Sequence, residues 1–212
     1  MAMRVCLLVV VAVACVGCAQ TAVYRPVGPP MLDAAFEGGG GVHGIVGQDT
    51  GGVGVSAWAT GQVAKDILLV ARAHGTDLIP YTDDGGLFRD VQFGGSGGLR
   101  GVYALRPELL IGGEVTLDYL ELRQGTTAQR FVSGVASFPV AEEAFTDVWV
   151  YIQPTLGAGF RFGDVDAPFS GFTEVPVGIA WKAAPWAVLV VEGGFAIPFA
   201  GGYLGVAGAF RL

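Results

Sequence analysis

In "HGTDLIPYTDD", residues 74 to 84, His74 is followed by Asp77, Asp83 and Asp84. An imidazole and carboxylates could hold a metal ion or relay a proton if the chain folded them onto one point. A solvated acidic loop accounts for the same residues, so neither enzyme chemistry nor a metal or cofactor is expected. The run "GGGG" at 38–41 lacks the strand-to-helix setting of a phosphate cradle and fits close backbone approach or bending within a strand. The charges that ask for an explanation are others: the acids Glu37, Glu114, Asp118, Glu174 and Glu192, the arginines Arg72, Arg100, Arg161 and Arg211, and the imidazole of His43. Each is set into an apolar or glycine-rich run. Enclosed together they would pair, whereas on a solvated face they would contribute little. Which holds depends on the element that carries them.

Alternation identifies that element. In "LLIGGEVTLDY" the odd positions are Leu109, Ile111, Gly113, Val115, Leu117 and Tyr119, while the even set contains Gly112, Glu114, Thr116 and Asp118. A period of two with every charge on one face is a strand, since a helix would scatter the charges around its axis. "VWVYIQPTLGAGFRF" behaves the same way. Val148, Val150, Ile152, Pro154, Leu156, Ala158, Phe160 and Phe162 share one face, with Tyr151, Gln153, Thr155 and Arg161 on the other. Along the chain this test predicts ten strands, near 34–46, 52–63, 67–76, 92–105, 109–122, 131–140, 148–162, 171–182, 186–198 and 203–212, with eight as the smaller possibility. The connections 64–66, 106–108 and 183–185 are tight, and 77–91, 123–130 and 163–170 are longer.

A charge-free face could line the cavity of a soluble barrel or contact lipid. A lipid-anchored, lipocalin-like barrel binding a small apolar ligand would put that face inside and its charges in water. Against it, the opposite face is mostly Gly, Ala, Ser and Thr, too poor in charge for a solvated exterior. Many strands also reach the ten or so residues that a tilted strand needs to cross hydrocarbon. Aromatics gather near strand ends, with Tyr103, Trp181, Trp186 and Phe210 towards the short turns and Tyr119, Phe162 and Phe199 towards the other end. Such rings favour the headgroup level of a membrane.

In these features residues 33–212 resemble small bacterial outer-membrane β-barrel proteins. The resemblance implies an all-β fold, an antiparallel up-and-down transmembrane barrel with short turns in the periplasm, and partners in outer-membrane lipid and the barrel-insertion machinery. The end "YLGVAGAFRL" is similar to the terminal signal of such barrels, with Leu204, Val206, Phe210 and Leu212 alternating outward and Leu212 where an aromatic is usual. In that fold the ten charged and imidazole groups named above face the lumen. Around the tight turn at 106–108, residues whose numbers sum to about 214 lie opposite each other, so Glu114 faces Arg100. A narrow lumen lined this way is expected to be a hydrogen-bonded plug, with a narrow polar channel as the alternative. No ligand is indicated.

The first residues read as an address. "MAMRVCLLVVVAVACVGC" places Arg4 before an apolar core and then small residues, the order of a secretory signal. About a dozen apolar residues is short of the ~20 that span a bilayer as a helix. A buried helix is the other reading of the run, but every later segment has strand periodicity. "CVGC" at 15–18 resembles the lipobox of bacterial lipoproteins, which implies removal of 1–17 and acylation of Cys18. "AVAC" ending at Cys15 is a second register, and cleavage after Ala19 is the alternative without a lipid. Residues 18–32 then form a lipidated, proline-containing tether. All three cysteines lie in the leader, so no disulfide framework or thiolate metal site can form in the barrel domain. With 12 Lys and Arg against 19 Asp and Glu among 212 residues, a net charge of −7 excludes a basic nucleic-acid binder.

Overall fold

The computed structural model describes residues 34–47, 50–80, 90–124, 127–162, 169–197 and 201–212. The expected signal (1–17) and tether (18–32), and with them Cys18, lie outside the described residues, as do Asp83, Asp84 and Phe199. The described residues form twelve strand segments: β1 (Phe36–Gly47), β2 (Thr50–Ala64), β3 (Ile67–Pro80), β4 (Asp90–Arg106), β5 (Leu109–Gln124), β6 (Thr127–Ser137), β7 (Val140–Phe145), β8 (Val148–Ile152), β9 (Thr155–Phe162), β10 (Phe169–Ala184), β11 (Ala187–Ile197) and β12 (Gly201–Arg211).

Each strand pairs antiparallel with its neighbour, and β12 pairs back onto β1 from Glu37↔Arg211 to Gly47↔Gly201. The sheet is thus closed. β6 and β7 together make one barrel strand, and so do β8 and β9, which gives an up-and-down barrel of ten strands. The two breaks, at Phe138-Pro139 and Gln153-Pro154, have a common cause. Proline has no N–H to give a ladder, and Pro139, Pro154 and Pro176 sit on three neighbouring barrel strands. Backbone bonds close around the gap: Gly112 N–H donates to the Pro139 carbonyl at 2.8 Å, Phe138 to Pro154 at 2.9 Å and Gln153 to Pro176 at 2.9 Å.

At one end of the barrel every hairpin connection is tight. Lys65-Asp66, Pro107-Glu108, Thr146-Asp147 and Pro185-Trp186 are two-residue turns, and each is flanked by a register shift in its ladder. Asp66 and Asp147 take the left-handed backbone conformation, φ 59° and 62°, which a tight turn closed by a bulge requires of one residue. Two boundaries differ from the sequence expectation at this end. The strand expected to stop at 140 runs on to Phe145, and Trp186 sits in its turn rather than opening the next strand. At the other end β3 continues to Pro80 and β5 to Gln124, so the connections expected at 77–91 and 123–130 are shorter than read.

The faces follow parity. On β5, Val115 and Leu117 are 66% and 71% exposed, whereas Glu114, Thr116 and Asp118 are buried. The exposed apolar set covers every barrel strand and includes Val55, Leu69, Leu99, Phe160, Ile179, Val191 and Leu204. Such an exterior is unfavourable in water and suited to hydrocarbon. A lipocalin-like cavity needs the reverse arrangement.

Inside, wide rings are fitted against missing side chains. Trp58 lies over Gly39, Tyr151 over Gly178, Phe172 over Gly157 and Tyr203 over Gly194, each ring directly across the ladder from its glycine. A Cβ at any of the four glycines would overlap the ring. These cross-strand pairs, in which an aromatic covers a glycine, fill the lumen laterally.

Candidate functional site

The lumen gathers the isolated charges, and its centre is Glu114 on β5. Arg100, its direct ladder partner on β4, donates from Nε to Glu114 Oε2 at 2.6 Å. Arg72, one strand further on β3, reaches the same carboxylate with both terminal nitrogens, Nη1 to Oε1 and Nη2 to Oε2, each at 2.7 Å. All three are buried, Arg100 completely. Two guanidiniums on one carboxylate give the group an excess positive charge. Asp118, which accepts from Thr116 Oγ1 at 2.7 Å, and Glu174 line the same small cavity as Arg72 and Glu114. That cavity of about 10 Å³ lies beside the proline break, with Ser137, Gln153 and Pro176 on its wall. It has room for roughly one water.

A second cluster lies at the seam where the barrel closes. Glu37 on β1 accepts from Arg211 Nε on β12 at 2.8 Å and from Trp58 Nε1 on β2 at 3.1 Å, so one carboxylate holds both neighbouring strands. A third involves Glu192 on β11, which accepts from the Tyr151 hydroxyl at 2.8 Å and the Tyr203 hydroxyl at 3.4 Å. Three of the four glycine-backed rings, Trp58, Tyr151 and Tyr203, are thus also donors to buried acids. His43 Nε2 and Thr76 Oγ1 share a bond of 2.8 Å. Arg161, partly buried, stands opposite Phe131 in the ladder, away from the Glu114 group.

The contact between Arg100 and Glu114 follows from the turn at 106–108, as the sequence indicates. Arg72 joining them was not anticipated, nor were Trp58 and Tyr203 as donors. Trp58 shares its parity with Ser56 and Tyr203 with Gly205 and Arg211, but contacts across intervening strands depend on barrel curvature. His74 and Asp77 are not brought together. They are of opposite parity on β3, with His74 on the side of buried Arg72 and Thr76, and Asp77 facing out. Among the described residues no group of three or more His, Cys, Asp or Glu side chains is placed to hold a metal ion.

The expected interface aromatics are outward. Tyr103 is 61%, Trp181 50% and Trp186 66% exposed, all close to the short-turn end, where Phe145 and Phe210 join them. At the loop end Tyr119, Phe160, Phe162 and Phe169 are also exposed, with Phe160 and Phe169 edge to face at 5.5 Å. An even number of strands, short turns at one end, an apolar band and an aromatic zone at each margin make up the architecture of bacterial outer-membrane barrels.

No family model and no curated protein matches the chain. Solved structures share its form at low identity. It is similar to the NanC porin (TM-score 0.49, 10% identity, 84% of this chain and 100% of that one). It is also similar to the translocator domain of the autotransporter NalP from Neisseria meningitidis (0.45, 8%, 99% and 96%). A loop L8 deletion mutant of OmpT, an outer membrane protein of Vibrio cholerae, matches at TM-score 0.38 and 11% identity over 81% of this chain, which spans 62% of the length of that one.

Proposed function

We propose that the protein is an integral outer-membrane barrel, exported by its leader and tethered through a lipid on Cys18, with a closed, charge-paired lumen. Its role in this reading is structural or interactive, not enzymatic and not that of a wide pore. The observation that carries it is Glu114 held between Arg72 and Arg100, the latter fully buried, within the lumen. A wide aqueous pore would leave such groups solvated and exposed. Planar-bilayer recording is the test: the full chain should give no large, steady conductance, and a stable porin-sized current would refute the plug.

A narrow polar channel is the second reading. It is favoured by Gln92, 1% exposed with neither side-chain polar atom partnered, and by the unpartnered buried hydroxyls of Ser133 and Thr173. Buried polar groups of this kind bind ordered water. Small, brief currents in the same recordings would select this reading. The tether has its own test. Cys18→Ser should abolish incorporation of an acyl label, and loss of label in Cys15→Ser instead would move the lipid to the other register.

A further inference from the structure

Past Leu117 and Tyr119, the outward face of β5 changes character. Its next two outward residues are Glu121 and Arg123, and Arg130 stands directly across from Glu121 on β6. Glu121 accepts from the Tyr119 hydroxyl at 2.6 Å, from Arg123 Nε at 2.6 Å and from Arg130 Nε at 3.2 Å. The carboxylate is covered, at 4% exposure, but the two arginine side chains are 60% and 59% exposed. Both reach Glu121 through Nε, and both side chains stay more than half exposed. Phe93, with the Arg123 guanidinium 5.1 Å above its ring, and Phe162, across the ladder from Arg130, flank the pair. Other described cations are elsewhere: Arg72, Arg100, Arg161 and Arg211 face the lumen, and Lys65, Arg106 and Lys182 lie near the short turns. Among the described residues, the row Asp77, Val91, Arg123 carries an outward acid two strands away.

We infer that Arg123 and Arg130 form a binding site on the outer wall for the phosphate of a membrane lipid in the leaflet at the loop end. Two guanidiniums less one carboxylate leave a net positive charge, and guanidinium forks match phosphate oxygens two at a time. The flanking rings lie at the aromatic margin, where a lipid sugar or upper acyl chain can rest against them. A soluble phosphate would find no such apolar contact. The inference rests on the outer-membrane reading, because it needs this rim to stand at headgroup level.

The test uses the full chain, folded in neutral detergent, in native mass spectrometry with three probes: bisphosphorylated lipid A, the same lipid dephosphorylated, and inorganic phosphate. The phosphorylated lipid should be retained and the dephosphorylated one should not, a comparison that needs no variant. Arg123→Ala/Arg130→Ala should weaken retention at least about tenfold, the scale of one lost charge-assisted bond. Arg106→Ala, at the opposite rim, should retain the lipid unchanged. Equal binding of both lipids, unchanged binding by the double variant, equal loss in Arg106→Ala, or displacement of the lipid by equimolar inorganic phosphate would each overturn the site. Heat-modifiable migration of the same samples separates the two readings. A chain that never forms a folded barrel in detergent or bilayers sinks the outer-membrane reading, while a folded one that ignores the phosphate sinks this inference alone.

Discussion

Removing Glu114 should destabilise the barrel more than removing Arg100, although each substitution deletes the same 2.6 Å contact. In Arg100→Ala, Glu114 keeps its two-pronged contact with Arg72 at 2.7 Å, so that carboxylate is not orphaned. The bond it loses is a charge-assisted one, worth about 1.5–3 kcal/mol. In Glu114→Ala two buried guanidiniums lose the anion they share. Breaking a buried pair from one side costs about 3–5 kcal/mol, and Asp118 and Glu174 on the same cavity should hold the value towards the lower end. The double variant removes one of the stranded cations and should recover part of the Glu114→Ala loss. Urea unfolding in lipid vesicles, followed by tryptophan fluorescence, measures all three on one scale. If Glu114→Ala is no worse than Arg100→Ala, water is solvating the guanidiniums, the lumen is wet, and the reasoning fails.

Leu117, 71% exposed on the lipid-facing side, makes a second test. Leu117→Arg should cost about 2–4 kcal/mol near the bilayer midplane, whereas Leu117→Ala should retain assembly; an alanine variant as damaging as the arginine one would mean the residue packs against protein. At the Tyr151 and Gly178 pair, Gly178→Ala pushes a methyl into the ring and should cost about 1–3 kcal/mol. Adding Tyr151→Ala should relieve that overlap, and strict additivity in the unfolding energies would show that the ring does not lie where described.

The fold was legible because a barrel wall imposes one rule on every residue. Hydrocarbon outside and a packed lumen inside make parity strict from Gly113 to Tyr119 on β5, where Leu117 and Glu114 differ in exposure by more than an order of magnitude. Legibility fell where the rule relaxes. Glu142 and Glu143 stand side by side near the interface, interrupting the alternation, so the extension of β7 to Phe145 did not register. Arg123 and Arg130 were read as loop because the outward set turns from Leu117 and Tyr119 to Glu121 and Arg123. A strand emerging from hydrocarbon makes the same change while its ladder continues. Inside, the partner of Arg100 followed from hairpin arithmetic, because the two strands share a turn. The reach of Arg72 to Glu114 spans β4 as well, and depends on curvature and side-chain length that parity does not encode. Trp58 and Tyr203 were missed for the same reason, since a ring lying flat over a glycine reaches acids beyond its ladder partner.

The bond between Arg211 and Glu37 joins residues 174 positions apart. Until that contact forms, β1 and β12 are both open edges, each with a row of unmet backbone donors and acceptors and an apolar flank. Closure therefore carries the largest loop entropy of the strand pairings among the described residues. An unclosed chain is exposed to edge-to-edge association with its own copies. Because Glu37 also binds Trp58, the carboxylate that holds the last strand is held in turn by the first hairpin. Loss of the eleven residues of β12 would thus do more than thin the wall. It would leave a sheet with two permanent edges, whose stable outcome is aggregation rather than a smaller barrel.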